Sequence, residues 1–191
     1  LTSIGAYAFA YCRYLLTINI PEKVTHLGEY AFYYCRRIQA INIPKLLTSI
    51  GSYCFSNCEQ LKAIEIPSSI SRILPYTFYY CHSLASVSLP ECITNIDDNA
   101  FYYCNNLPSI SIPQTVTLIG SYAFYMCTKL QNVTLRYGIE QISSGAFSSC
   151  SSLETIFLPE SIDYIGSSSF SSCSKLISVI IPKKVSIIQS S

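Results

Sequence analysis

The chain has 191 residues, half of them hydrophobic, and carries twelve Lys and Arg against eleven Asp and Glu. This length is sufficient to bury a substantial core, and the near-neutral charge excludes a basic surface for nucleic acid or for an anionic membrane. The longest apolar runs are far shorter than the roughly 20 residues that cross a bilayer, so we expect no membrane insertion in this segment.

A unit of 23 residues repeats along the whole chain. Phenylalanine keeps this step from Phe9 to Phe170, and three further apolar columns and a proline column follow it. Cysteine marks the unit eight times, at Cys12, Cys35, Cys58, Cys81, Cys104, Cys127, Cys150 and Cys173. The fixed period predicts a single array of about eight 23-residue repeats over residues 1–191. The array starts in mid-pattern at Leu1 without a secretory signal, so we expect it to be a fragment of a longer protein.

Each unit begins with a predicted strand. In its L-x-x-I-x-I stretch the apolar residues alternate, so Ile18 and Ile20 are predicted to face inward while Thr17 and Asn19 face outward. The proline that follows ends the strand, because it has no N–H for the ladder. The next segment, V-T-H-L-G at residues 24–28 in the second copy, is predicted to return the chain in an extended form across another side.

The remainder of the unit is predicted to contain one or two helical turns. In EYAFYYC, residues 29–35, helical spacing turns Ala31, Phe32 and Cys35 toward the interior. Together these elements indicate a leucine-rich repeat solenoid of the α/β type with a right-handed coil. It would have a parallel β-sheet on the concave face and short extended segments and one- to two-turn helices on its other sides. Each unit buries its apolar edges only against its neighbours.

The cysteine column is predicted to be a buried ladder of reduced thiols. Stacked coils place like residues about 4.8 Å apart, which is near enough for bridging, but neighbouring thiols point the same way. We therefore favour packed thiols over disulfides or a string of metal sites. Cys92 differs because it follows the strand-ending proline in a mostly polar column, and it is either a neutral substitution or a candidate reactive thiol.

The residues offer little for catalysis. His26 and His82 are the only histidines, and they occupy different positions of the repeat, so they form no zinc-like pattern with the cysteines. We expect no catalytic residue, no metal site, no cofactor and no enzymatic activity.

Tyrosine gives the strongest non-random surface signal, with 16 residues. Tyrosines recur two residues before the Phe and one or two residues after it, and helical spacing would place them on one flank. The candidate protein-binding residues are Tyr30, Tyr33, Tyr34, Tyr76, Tyr79, Tyr80, Tyr102, Tyr103, Tyr122 and Tyr125. Rigid tyrosines are favoured at binding surfaces, although these rings could instead stack between coils and cover the core.

The outward strand columns are mostly small and polar, which predicts a broad face without a pocket. Near the end of the chain Phe157, Ile177 and Ile180 interrupt this pattern. Their apolar patch either packs against a further repeat or cap or binds a partner.

The unit IPxxVxxIGxxAFxxCxxL resembles the BspA-type leucine-rich repeat of surface proteins from mucosal bacteria and parasitic protists, over the whole chain. The resemblance implies a protein at the cell surface or secreted, binding to host matrix or cell-surface proteins, and no enzymatic activity. Our leading hypothesis is therefore a non-enzymatic protein-binding module of an adhesin. The alternative is a structural or assembly unit that self-associates through the apolar ends of the solenoid.

Overall fold

The chain winds into a parallel β-solenoid of about seven turns. The computed structural model describes residues 1–189. Each turn places short strands in two columns, and a third side of tight turns connects them. Neighbouring strands in a column are parallel and pair one repeat apart, for example Ile4 with Leu27.

The column of the V-x-x-I segment, here the first strand column, was expected to be merely extended, but it forms strands. They are β1 (Ser3–Ile4), β3 (His26–Leu27), β5 (Ser49–Ile50), β7 (Arg72–Ile73), β9 (Asn95–Ile96), β11 (Leu118–Ile119), β13 (Gln141–Ile142) and β15 (Tyr164–Ile165). Backbone bonds to the preceding coil hold them, as where the Gly28 N–H donates to the Ile4 carbonyl at 2.8 Å. The ladder is interrupted between β5 and β7.

The second strand column arises from the L-x-x-I-x-I stretch, as predicted. It contains β2 (Thr17–Ile18), β4 (Ala40–Ile41), β6 (Ala63–Glu65), β8 (Ser86–Ser88), β10 (Ser109–Ile112), β12 (Asn132–Leu135) and β14 (Thr155–Ile156). In β10 the side chains of Ile110 and Ile112 are buried while Ser109 and Ser111 are exposed. The predicted alternation of inward and outward residues is therefore confirmed.

The predicted helical turns, and with them the α/β type of the solenoid, are wrong, because no helix occurs within residues 1–189. The third side consists of consecutive tight turns. Tyr30 and Tyr34 have φ values of 56° and 57°, in the left-handed region that an α-helix does not contain. The same two positions of the unit have positive φ in every coil from Tyr7 to Ser172. The departure from a helix is therefore a property of the repeat.

Alternating hydrogen bonds explain this backbone. The N–H groups of Tyr30, Phe32 and Tyr34 donate to carbonyls of the next coil at 3.1, 2.9 and 2.9 Å. The N–H groups between them close turns within the coil, as where Tyr33 donates to the Tyr30 carbonyl at 3.1 Å. A helix would direct all of these donors back along its own segment, so it would leave the next coil without partners.

The core is organised around a column of phenylalanine rings. Its fully buried members are Phe32, Phe55, Phe78, Phe101, Phe124 and Phe147. Their rings stack almost parallel, with Phe78 and Phe124 at 5.2 and 5.3 Å from Phe101 between centroids. Offset stacking of this kind is favourable beyond the burial of area alone. The column lies behind the tight turns and fixes the backbone from which the tyrosines project.

We expect Phe101→Ala to lower the free energy of unfolding by about 3 to 5 kcal/mol, because a fully buried ring is replaced by a cavity. The matched change Phe9→Ala should cost less, since Phe9 is half-buried and stacks on Phe32 alone, at 5.4 Å. Urea titrations of both variants followed by circular dichroism measure the difference. Equal losses would contradict a stability that is summed over neighbouring coils.

Candidate functional site

Tyrosine rings form three adjoining columns on the side of the tight turns, which together we call the tyrosine flank. The first tyrosine column stands two residues before the Phe. In it Tyr7, Tyr30, Tyr53 and Tyr76 stack nearly parallel, with successive centroids 4.7, 4.6 and 4.4 Å apart. This spacing matches the rise of one coil, so each ring covers the next without a gap.

The other two columns follow the Phe by one and two residues. In the second column Tyr79, Tyr102 and Tyr125 stack at 4.8 and 4.7 Å. In the third column Tyr80 stacks on Tyr103 at 4.7 Å. Tyr79 also contacts Tyr80 at 4.6 Å, with the rings tilted by 48°. Contacts along and across the columns therefore join the rings into one surface.

All ten tyrosines predicted as binding residues lie on this flank, but helical spacing is not the reason. The first and third columns occupy the two positions with positive φ, for example Tyr76 at 58° and Tyr80 at 58°. Their N–H groups donate to carbonyls of the next coil, and the repeat then places each ring on the equivalent ring of that coil. The grouping of the tyrosines is thus set by the coil-to-coil bonds. Whether the flank binds a protein stays a prediction.

Partial burial affects the acidity of these phenols. Withdrawal from water, reinforced by neighbouring phenols, raises the pKa of Tyr53 and Tyr102 to about 12. The pKa values of Tyr30, Tyr33 and Tyr79 are also raised, again mainly by burial. At neutral pH these five side chains are therefore uncharged phenols that can both donate and accept hydrogen bonds.

The first tyrosine column is interrupted in the fifth coil, where Asn99 takes the place of a tyrosine. A cavity of about 570 Å³ opens there between Tyr76 and Tyr122, and the second tyrosine column forms its back wall. Asp98 lies at its rim. We call this cavity the Asn99 slot. In the sequence a lone Asn in a Tyr column looks like an ordinary substitution, and the slot becomes evident only when the rings are stacked.

The cysteine ladder has a role that the sequence analysis missed. The Cys81 thiol donates to the Phe55 carbonyl at 3.1 Å, and the Cys127 thiol donates to the Phe101 carbonyl at 3.2 Å. The Phe101 carbonyl also accepts the Cys104 N–H of its own coil at 3.1 Å. Cysteine thus both fills the space and bonds the preceding coil. Cysteine recurs at this position of the unit although alanine would also be small enough. That recurrence is the feature of the sequence that could have indicated the thiol hydrogen bond.

Seven of the eight ladder cysteines are buried, as predicted, but Cys12 is exposed. Cys12 lies in the first coil, where residues 1–189 provide no preceding Phe carbonyl for its thiol. Burial raises the pKa of Cys35 and Cys127 to about 12 and that of Cys173 to about 11. The buried ladder therefore contains a negligible fraction of the reactive thiolate at neutral pH.

Cys92, the candidate reactive thiol, is half-buried. Its Sγ lies 2.9 and 3.1 Å from the carbonyl oxygens of Ser68 and Ile70, so its single proton can be donated to either one. One coil later the Thr115 hydroxyl lies in the equivalent place, 2.7 and 2.6 Å from the carbonyl oxygens of Glu91 and Ile93. Cys92 therefore occupies a column of side-chain donors that hold the preceding coil. Its reactivity stays a prediction.

The histidines are separated as the sequence indicated. The Nδ1 of His26 lies 2.7 Å from the Thr25 hydroxyl, whereas His82 packs edge-on against Tyr80 with centroids 5.2 Å apart. Among residues 1–189 no group of three or more His, Cys, Asp or Glu side chains is arranged to hold a metal ion. The same part of the chain contains no helix long and apolar enough to cross a membrane.

The outward face of the second strand column carries small polar side chains and the apolar patch. Asn42 is not free for a ligand, because its amide accepts the Ile20 N–H and donates to the Ile20 carbonyl, both at 3.0 Å. Phe157, Ile177 and Ile180 are 71%, 79% and 73% exposed. The structure thus places the predicted patch at the surface of the last coils.

Comparison with known families supports the repeat assignment. The family model described as the BspA type leucine rich repeat region matches residues 2–105 and 94–191, with six copies. Comparison with curated proteins gives no significant match.

Solved bacterial proteins share this fold. A leucine-rich repeat protein from Bacteroides ovatus is 34% identical and superposes with a TM-score of 0.84 over 89% of this chain and 46% of its own. One from T. pallidum is 26% identical, with a TM-score of 0.63 over 92% of this chain and 72% of its own. A leucine-rich cell surface protein from Faecalibacterium prausnitzii is 24% identical, with a TM-score of 0.60 over 97% and 66%. The chain thus spans about half the length of the B. ovatus protein.

The thiols give a direct test of the ladder. Under native conditions near pH 8, where an ordinary thiol is partly ionised, a small alkylating reagent should label Cys12 first and Cys92 next. The buried ladder cysteines should react only after unfolding, because their raised pKa values leave them protonated. Mass spectrometry of peptides with and without denaturant measures each site. Native labelling of Cys104 as fast as that of Cys12 would contradict the dry ladder.

Proposed function

The chain belongs to the BspA-type leucine-rich repeat family, and from this membership and its surface we propose that it is the non-enzymatic protein-binding module of a cell-surface adhesin. Its role would be attachment to matrix or cell-surface proteins of a host. The tyrosine flank is the observation that carries this proposal. A repeat sequence determines the scaffold more than it determines the ligand. The support for a binding role therefore has to come from the surface of this particular chain.

The flank has the chemistry of a protein-binding surface. Its rings are held by stacking at 4.4 to 4.8 Å, so little side-chain freedom remains to be lost when a partner binds. Tyrosine also combines a large apolar face with a hydroxyl group, which suits it to interfaces. From Tyr7 to Tyr125 the flank spans six coils, and that extent provides room for an extended partner.

The outward face of the second strand column is a weaker candidate. Its side chains are mostly short, and the Asn42 amide is already bonded to the Ile20 backbone. Energetic anchors at interfaces are usually aromatic or arginine side chains that fill or form pockets. That face offers none of these over most of its length, whereas the flank offers many.

The relatives support a location at the cell surface. The F. prausnitzii protein that shares the fold is described as a leucine-rich cell surface protein. A surface location is consistent with a module whose exposed columns are rich in Tyr, Ser, Thr and Asn. We extend that location to this chain as part of the proposal.

Self-association is the second candidate function, and the apolar patch favours it. Phe157, Ile177 and Ile180 expose contiguous apolar side chains on the last coils, where a second copy could cover them. Sedimentation velocity over a range of concentrations distinguishes the two roles. If the parent chain associates and the Phe157→Ser variant does not, assembly is the supported function. If the parent chain is a monomer at all concentrations, the binding module remains the proposed function.

We expect the fourfold variant with Tyr33, Tyr79, Tyr102 and Tyr125 replaced by Ser to lose binding to purified matrix proteins, measured by surface plasmon resonance. Aromatic anchors typically contribute at least about 2 kcal/mol each. The fold should persist, because the same column already contains Ser56, Ser148 and Ser171.

The control replaces Asn42, Glu65 and Ser88 of the outward strand face with Lys and should bind as the parent chain does. Circular dichroism verifies that both variants are folded. If the fourfold variant bound normally while the strand-face variant did not, the binding site would lie on the strand face and the tyrosines would serve only in packing.

A further inference from the structure

The Asn99 slot is a tyrosine stack with one ring missing. Asn99 has a φ of 57°, between the values of 58° at Tyr76 and 55° at Tyr122 in the same column. The backbone therefore keeps the conformation that elsewhere directs a ring into the stack. Only the ring is absent, so the space it would fill stays open between two tyrosine faces.

A second irregularity of the same column lies next to the slot. One coil beyond Tyr122 the column holds Gly145, and a Cβ placed there would lie 2.4 Å from Cε1 of Tyr122. The Tyr122 ring therefore occupies space that a side chain at position 145 would need, on the side away from Asn99. The cavity of about 570 Å³ at Asn99 admits a flat group with its attached chain.

Aromatic side chains flank the slot on two sides and line its back. Tyr76 and Tyr122 stand on either side, and the stacked rings of Tyr79, Tyr102 and Tyr125 form the back wall. The faces of aromatic rings carry partial negative charge and attract cations. The neutral rings are sufficient for this attraction.

The rim adds a full negative charge. Oδ1 of the exposed Asp98 carboxylate accepts the Ser121 N–H at 2.7 Å, which orients the carboxylate and leaves Oδ2 for a ligand. Within residues 1–189 the Asn99 amide makes no side-chain hydrogen bond, so its oxygen can accept one. The side chains that line the slot include this carboxylate and no Lys or Arg. Its charge complements that of a cation.

We propose that the Asn99 slot binds the guanidinium group of an arginine from a partner protein. Guanidinium is flat, always charged and rich in donors, so it can stack between Tyr76 and Tyr122 while it donates to Asp98. The chain already uses this pairing, since Cζ of Arg36 lies 5.1 Å from the centroid of the Tyr34 ring. The inference rests on the proposed function, that the flank binds a protein, and names the group it recognises.

The first test uses a minimal probe, N-acetyl-arginine methylamide, and its citrulline counterpart, which keeps the planar shape without the charge. Titration into the isotope-labelled chain should shift the amide NMR signals of Asp98, Asn99 and Ser121. The arginine probe should bind about tenfold more tightly than the citrulline probe, given the strength of a desolvated cation–π contact. Equal binding of the two probes, or shifts located elsewhere, would overturn the proposal.

Two substitutions at Asn99 test the shape of the slot. Asn99→Tyr completes the stack, with a backbone that Tyr76 and Tyr122 already adopt, and should reduce binding of the arginine probe by at least about tenfold. Asn99→Gly, patterned on Gly145 in the same column, keeps the slot open and removes only the amide, so it should lose much less binding than Asn99→Tyr does. Thermal unfolding verifies that both variants are folded. Undiminished binding by Asn99→Tyr would show that the probe does not enter the slot.

Asp98→Asn tests the charge without changing the shape. The Asn side-chain oxygen can still accept the Ser121 N–H, so the rim should keep its geometry. The preference for arginine over citrulline should fall severalfold. A preference that stays unchanged would remove Asp98 from the recognition and overturn this part of the assignment.

The same variants separate this inference from the proposed function. If the fourfold tyrosine variant loses matrix-protein binding while Asn99→Tyr retains it, the flank binds partners and the slot does not contribute. If the fourfold variant retains that binding but the arginine probe still depends on Asn99 and Asp98, the slot is real and the proposed adhesive role of the flank is wrong.

Discussion

The coil-to-coil backbone hydrogen bond is the interaction on which the rest of this structure depends. On the side of the tight turns the Tyr30 N–H reaches forward to the Ser52 carbonyl, and on the first strand column the Gly28 N–H reaches back to Ile4. Each coil therefore completes its backbone bonds only through its neighbours. One inserted residue would move every donor of a coil out of register, which accounts for a unit that repeats every 23 residues without insertion or deletion.

This constraint also accounts for tyrosines in an unfavourable backbone conformation. A left-handed φ costs a non-glycine residue roughly 1 to 2 kcal/mol, and the repeat accepts it at Tyr30 and Tyr34 because their N–H groups then meet the next coil. Stacking of the rings offsets part of the cost. Asn57, Asn99 and Gly145 occupy the same positions and tolerate this conformation better. Exchanging Tyr for Asn there loses packing but adds no strain, so the scaffold permits the surface to vary.

Features of the fold that depend on the period can be predicted from the sequence, whereas features that depend on contacts between coils cannot. The buried Phe column follows from the spacing of 23 residues, and the alternation in β10 follows from the period of two within the unit. The recurrence of the tyrosines is also visible in the sequence, but the coil-to-coil bonds that group them are not. The helical turns do not form, because the spacing of Ala31, Phe32 and Cys35 suits either a helix or tight turns, and hydrogen bonds to the next coil decide between them. The thiol bonds of the ladder and the Asn99 slot likewise require a neighbouring coil, which no single unit reveals.

A strictly periodic solenoid has few ways to form a pocket. Enzymes and many binding domains shape their sites with loops of variable length, but here an added loop residue would break the register of hydrogen bonds in every column. A fully occupied column of stacked rings, in turn, presents a continuous wall. Omitting a ring is the change that opens a cavity and leaves the backbone untouched, and Asn99 does this between Tyr76 and Tyr122. In such an array the informative positions are therefore the exceptions to the repeat, because the regular residues are already required by the fold.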